Sequence, residues 1–177
     1  GAVVLDADAI VRELQQPGTP VFRAIVEAFG PGVVRADGTL DRAALGRRVF
    51  ADPEARRRLN AIVHPAVRER LHQEVARLQR RLPPDAVIVL DIPLLLDTAP
   101  REAYPLEGVI VVVADDSTQV ARLRARDGLD EAAARQRLAA QRPVREKAAE
   151  ADWVIDNSGS LEETRRQVEA LWRRLTG

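Results

Sequence analysis

The chain has 177 residues, 46% hydrophobic and 31% charged, which is enough for one compact domain with a real core and too apolar for disorder. Its 27 basic and 27 acidic side chains cancel, so no global field recruits nucleic acid or an anionic membrane. The lack of cysteine excludes disulfides and thiolate metal sites, no run has membrane-spanning length or the form of a signal peptide, and a cytoplasmic protein is expected.

In chain order, Val3–Asp6 reads as a strand and Ala9–Gln16 as a short helix stopped by Pro17-Gly18. Val21–Phe29 is helical up to Gly30-Pro31. Arg42–Phe50 and Pro53–Ile62 follow, then a long helix from about Pro65 to Arg81, closed by Pro83-Pro84. Ala86–Leu90, Val109–Ala114 and Trp153–Ile155 are further strands. Ser117–Arg126, Asp130–Arg142 and Leu161–Leu175 are further helices. Each strand is dense in Val and Ile and apolar on both faces, as in a parallel sheet covered by helices on both sides. Strands alternating with helices predict an α/β fold. No internal repeat or low-complexity stretch breaks the pattern.

Roughly 80 residues separate the first two strands, far more than one crossover helix needs. Residues 16–82 therefore read as an inserted helical lobe, and the arginine-rich residues 122–148 as a second helical insertion. Residues 1–15, 83–121 and 149–177 remain as the sheet-bearing core. The chain starts with Gly1 at the edge of a strand and contains no methionine, so a trimmed or partial chain is expected.

Ligands of open parallel sheets sit at the carboxyl ends of the strands. Here those ends carry Asp6 and Asp8, Asp91, Asp115-Asp116, and Asp156-Asn157-Ser158-Gly159. A carboxylate rim suits Mg²⁺, or a base for a hydroxyl. Each acid also has a plainer use. Asp8 can cap the helix at Ala9, Asp115 or Asp116 the helix at Ser117, and Asp91 can end its strand. Asn157 suits a turn. His64 precedes Pro65, which fits a helix's first turn, so His64 would face a ligand there or act as a cap or packing residue. His72 lies eight residues on with no third ligand, which argues against zinc. Arg122, Arg124, Arg126, Arg135, Arg137, Arg142 and Arg145 form either a phosphate clamp or a solvated face interleaved with acids.

Together, "LDADAIVREL" (5–14), "QPGTP" (16–20), "ADGTLDRAALGRRVF" (36–50), "LNAIVHPAV" (59–67), "DIPLLLD" (91–97), "AAQRPVREK" (139–147) and "ADWVIDNSG" (151–159) resemble the dephospho-coenzyme A kinase family over nearly the whole chain. The order of the pieces carries the specificity. The resemblance implies a P-loop kinase-like core, a helical CoA-binding lobe at 16–82 and a mobile lid at 122–148. It implies ATP-dependent phosphorylation of the ribose 3′-hydroxyl of dephospho-CoA, the last step of coenzyme A synthesis, with Mg²⁺ accompanying ATP. By resemblance Asp8 takes the hydroxyl proton and Asp6 supports the site. His64, Pro93, Leu94 and Leu95 fall where dephospho-CoA is received. Arg122 meets the ATP phosphates, and Arg145, Asn157 and Gly159 border the nucleotide. Asp97 stands where the family often has Glu.

One element of the family is not found. No stretch fits G-x-x-x-x-G-K-[ST], and Lys147, the only lysine, lies far from any glycine-rich turn. "GAVVLD" resembles the family's second strand, so about 25 residues with a phosphate-binding loop are expected ahead of Gly1. The competing readings are a CoA- or nucleotide-binding relic without catalysis and a nucleoside monophosphate kinase; "DGTLDR" and "HP" argue against the latter. A monomer or weak homo-oligomer is expected, with no nucleic-acid or membrane partner.

Overall fold

The first strand, β1 (Val3–Asp6), runs into the first helix, α1 (Ala7–Leu14), without a loop. Asp6 makes this possible by ending one element and capping the other: its Oδ1 accepts from the Ala9 amide at 3.0 Å. The computed structural model describes residues 1–177 and divides them into two compact units, Gly1–Pro93 and Leu94–Gly177.

In the first unit, β1 pairs in parallel with β2 (Ile88–Asp91), in a register from Val3↔Ile88 to Asp6↔Asp91. Between them stand α2 (Pro20–Phe29), α3 (Arg42–Ala51) and α4 (Pro53–Gln79). Thr19, Asp41 and Asp52 cap these helices, and Pro opens two of them where its missing N–H costs nothing. Helices α1, α2 and α3 all pack on α4. The buried stripe of α4 is Val63, Val67, Leu71, Val75 and Leu78, spaced to fall on one face. Ile25, Val33 and Leu71 are completely enclosed, each burial stabilising by roughly 1.5–3 kcal/mol.

The second unit contains α5 (Leu95–Thr98), β3 (Ile110–Val113), α6 (Asp116–Asp127), α7 (Glu131–Ala139), α8 (Val144–Ala149), β4 (Trp153–Asp156) and α9 (Leu161–Thr176). β3 pairs in parallel with β4, from Ile110↔Trp153 to Val113↔Asp156. Helix α9 packs along β4, α8 against β3, and α7 against α6. Asp115 and Asp130 cap α6 and α7, and Gly128 closes α6 in the left-handed conformation.

The parallel α/β class matches the expectation, and three details differ from it. Pro53–Ile62 and Pro65–Arg81 are one 27-residue helix with Pro65 inside. The stripe on either side of Pro65 packs continuously, and that burial outweighs the roughly 3 kcal/mol an internal proline costs. The helix expected over Asp130–Arg142 stops at Ala139, and Pro143 separates it from α8. The strands are not covered on both faces: Val4, Val112 and Val154 are 57%, 59% and 45% exposed, and burial alternates along β1 and β3.

Candidate active site

The parallel register sets Asp6 and Asp91 side by side at the carboxyl end of the first sheet. Asp6 is bound into its own chain. Besides capping α1, its Oδ2 lies 3.7 Å from Arg12 Nη2. Arg12 also donates from Nε to the Asp8 carbonyl at 3.1 Å. Sequence reasoning passed over Arg12, although its four-residue spacing from Asp8 along α1 places it there. The cap of α1 is thus Asp6 and not Asp8, because the helix begins two residues earlier than expected. Asp8 lies in the first turn of α1, exposed, where the helix dipole favours a negative charge. Asp91 is exposed at the end of β2.

His64 is not at a helix start. It lies within α4, exposed, one turn before Arg68. Partial burial, and then the Arg68 guanidinium, hold its imidazole below its ordinary pKa, so the ring is neutral at neutral pH. Pro93 ends the first unit, two residues after β2.

Leu94 opens the second unit with φ 57° and ψ 31°, the only non-glycine residue of the chain in the left-handed region. For a side chain with a Cβ this costs roughly 1–2 kcal/mol, and such strain gathers at binding sites. Its carbonyl accepts from Thr98 Oγ1 at 3.0 Å, and Leu95 starts α5.

The arginines of 122–145 separate into two sets. Arg126 and Arg137 each reach Asp127 at 2.7 Å, Arg135 pairs with Glu131 at 2.8 Å, and Arg142 pairs with Glu146 and Glu150. For Arg126, Arg135 and Arg137 the reading as a solvated, acid-balanced face holds; Arg142 is half-buried and also bonds the Leu96 carbonyl. Arg122 and Arg124, midway along α6, and Arg145, in the first turn of α8, are exposed and stand outside the ion pairs. Sequence spacing alone did not separate these sets, since Arg145 has Glu146 beside it in sequence and yet stays unpaired.

At the end of β4, Asn157 donates its amide to the Val113 carbonyl at 2.8 Å and accepts from Thr164 Oγ1 at 3.0 Å. Ser158 Oγ accepts from the Asp115 amide at 2.9 Å, which ties this turn to the end of β3. Asp115 is the cap of α6, accepting from the Ser117 hydroxyl at 2.6 Å and the Thr118 amide at 2.7 Å; those donors lower its pKa. A Cβ at Gly159 would strike the Glu163 carboxylate, which would have to move aside. Glu163 is held there by the capping box with Ser160 that starts α9. Asp156, Gly159, Glu163, Arg166 and Gln167 line an open cleft of about 420 Å³.

The family model described as dephospho-CoA kinase matches residues 1–163. The chain is 55% identical over 177 residues to the dephospho-CoA kinase of Symbiobacterium thermophilum, covering 100% of this chain and 72% of that protein. The chain belongs to the dephospho-CoA kinase family. Solved structures agree. A crystal structure from Thermus thermophilus, 38% identical, superposes with a TM-score of 0.78 over 100% of this chain and 86% of that one. The dephospho-CoA kinase of Campylobacter jejuni, 25% identical, gives 0.72 over 99% and 86%. Membership makes the chain an ATP-dependent kinase of the P-loop type. The comparisons do not bear out the expectation that a strand and phosphate-binding loop are missing from this sequence. No helix is long and apolar enough to cross a membrane.

Proposed function

We propose that this dephospho-CoA kinase uses Asp8 as the base that takes the proton of the ribose 3′-hydroxyl, and Arg122 and Arg145 as cations for the phosphates of ATP. One observation carries the assignment of Asp8. Of the two acids where β1 meets α1, Asp6 is occupied by the Ala9 amide and Arg12, while Asp8 leaves its carboxylate exposed. In the transfer the 3′-oxygen attacks the γ-phosphorus, its proton passes to Asp8, the bond to the β,γ-bridging oxygen breaks, and ADP leaves. Arg122 and Arg145 are suited to the charge on the phosphoryl oxygens because no acid of the chain already neutralises them.

Asp91, exposed and paired in register with Asp6, offers oxygens for Mg²⁺, which keeps several waters and needs only one or two carboxylates beside the nucleotide phosphates. The ion would neutralise charge on those phosphates. On this reading residues 16–82 form the dephospho-CoA lobe, in which His64 is the neutral ring that borders the substrate, and Pro93, Leu94 and Leu95 contribute an apolar rim. Residues 122–148 form the lid, with Asn157 and Gly159 bordering the nucleotide on the remaining core segments, 1–15, 83–121 and 149–177. The enzyme works in the cytoplasm as a monomer or weak homo-oligomer.

The test compares the two substrates. Arg122→Ala and Arg145→Ala should each raise KM for ATP by about tenfold, as expected for a lost charge-assisted hydrogen bond, and leave KM for dephospho-CoA within about twofold. Arg173→Ala, on the exposed side of α9, is the control and should change neither. Equal losses for both substrates would remove the arginines from the ATP site.

A further inference from the structure

The single lysine of this chain is spent on an enclosed ion pair. Lys147 Nζ lies 3.0 Å from Asp97 Oδ2, and the two side chains are only 14% and 12% exposed. Among the ion pairs of the chain this is the one shielded on both sides; every other has at least one partner more than 30% exposed. The second oxygen of Asp97 accepts the Arg142 amide at 2.9 Å. Arg142 returns from Nη1 to the Leu96 carbonyl at 2.8 Å, and its guanidinium continues to Glu150 at the end of α8. One carboxylate on α5 therefore holds both the entry to α8 and its middle. Burial would raise the Asp97 pKa, but the Arg142 amide and the Lys147 ammonium outweigh it, and the carboxyl stays below its ordinary value and ionised.

Two further facts give this arrangement a purpose. Helix α8 has six residues and no side-chain cap, too short to hold its own shape. An enclosed ion pair is an inefficient way to stabilise a fold, since desolvation offsets much of the attraction; what it supplies is a fixed geometry. Arg145 lies between the two anchored positions, Arg142 and Lys147. We propose that Asp97 is a positioning residue for the nucleotide side of the reaction: through the Arg142 amide and Lys147 it fixes α8 so that Arg145 is presented in one orientation to the phosphates. This rests on the assignment of Arg145 to ATP made above.

Steady-state kinetics with both substrates, together with thermal melts, test it on Asp97→Asn, Lys147→Gln, Lys147→Arg, Arg145→Ala and the Asp97→Asn/Arg145→Ala double variant. Asp97→Asn and Lys147→Gln should raise KM for ATP by about tenfold while KM for dephospho-CoA stays within about twofold. Lys147→Arg, which keeps a cation for Asp97, should recover most of the ATP affinity. The double variant should be no worse than Arg145→Ala alone, because residues that act through one another are not additive. A lost melting transition in Asp97→Asn passes the test to Lys147→Gln, which keeps the Arg142 contact. If Arg145→Ala raises KM for ATP while Asp97→Asn and Lys147→Gln do not, or if the double variant is fully additive, the positioning role is overturned and the assignment of Arg145 stands. If Arg145→Ala leaves KM for ATP unchanged, both fall.

Discussion

Asp6 and Asp91 are register partners at the carboxyl ends of β1 and β2, and Asp6 spends its carboxylate on the start of α1, two residues ahead of Asp8. This division of labour makes the two neighbouring acids experimentally separable. Asp8→Asn should lower kcat by roughly 10²- to 10⁴-fold, the usual contribution of a positioned base, with the melting temperature nearly unchanged. Asp6→Ala should instead lower stability by about 1 kcal/mol through the lost cap, measured by urea unfolding. A rate for Asp8→Asn within threefold of the parent would leave Asp8 without a role in proton transfer.

Gly108 lies against the six-membered ring of Trp153 so closely that a Cβ at 108 would overlap it. The flanking residues are held firmly: Val109 is buried, and its carbonyl accepts from the Trp153 amide at 3.2 Å. Gly108→Ala should therefore overpack this corner and cost roughly 1–3 kcal/mol. Urea unfolding would measure the loss, and Trp153 emission would report the displaced ring, Trp172 serving as the second, distant chromophore in sequence. An unchanged midpoint would mean that the ring yields freely.

His64 gives stability a pH dependence of definite sign. Its folded pKa is below the ordinary value, while in the unfolded chain it titrates near about 6.5. As pH falls through that value the unfolded chain takes up the proton first, so stability is lost on acidification, and the loss levels off below the folded pKa. In His64→Gln this part of the decline between about pH 7 and pH 5 should disappear. Unfolding curves at several pH values would show it; parallel profiles for the two proteins would exclude His64 as the source.

The four strands, their parallel pairing and most helix starts were legible because strong local signals agreed: Val/Ile runs ending in Asp, and Asp, Thr or Ser one residue before a periodic stretch. Pro65 misled because a proline after a histidine is a good first-turn signal locally. The stripe Val63, Val67, Leu71, Val75, Leu78 was the better signal, since it crosses Pro65 without changing phase. The exposed faces of β1, β3 and β4 could not be read from composition, because a Val run looks alike whether one face or both are covered. At the site, the acids at the strand ends were visible, but which of them were spent was not. That distinction depends on contacts such as Asp6 with Ala9, and Asp97 with Arg142 and Lys147, the latter pair brought together across 50 residues of chain.

Lys147 is the only lysine among these 177 residues, so its acylation can be followed as a single event at a known position. Enclosed and engaged by Asp97, it should react more slowly with acylating reagents than a solvated lysine. Its acylation rate then becomes a gauge of how often α8 lets go of α5. Mass spectrometry can follow it without adding a probe, and a nucleotide that tightens this corner of the molecule would register as a slower reaction at a single nitrogen.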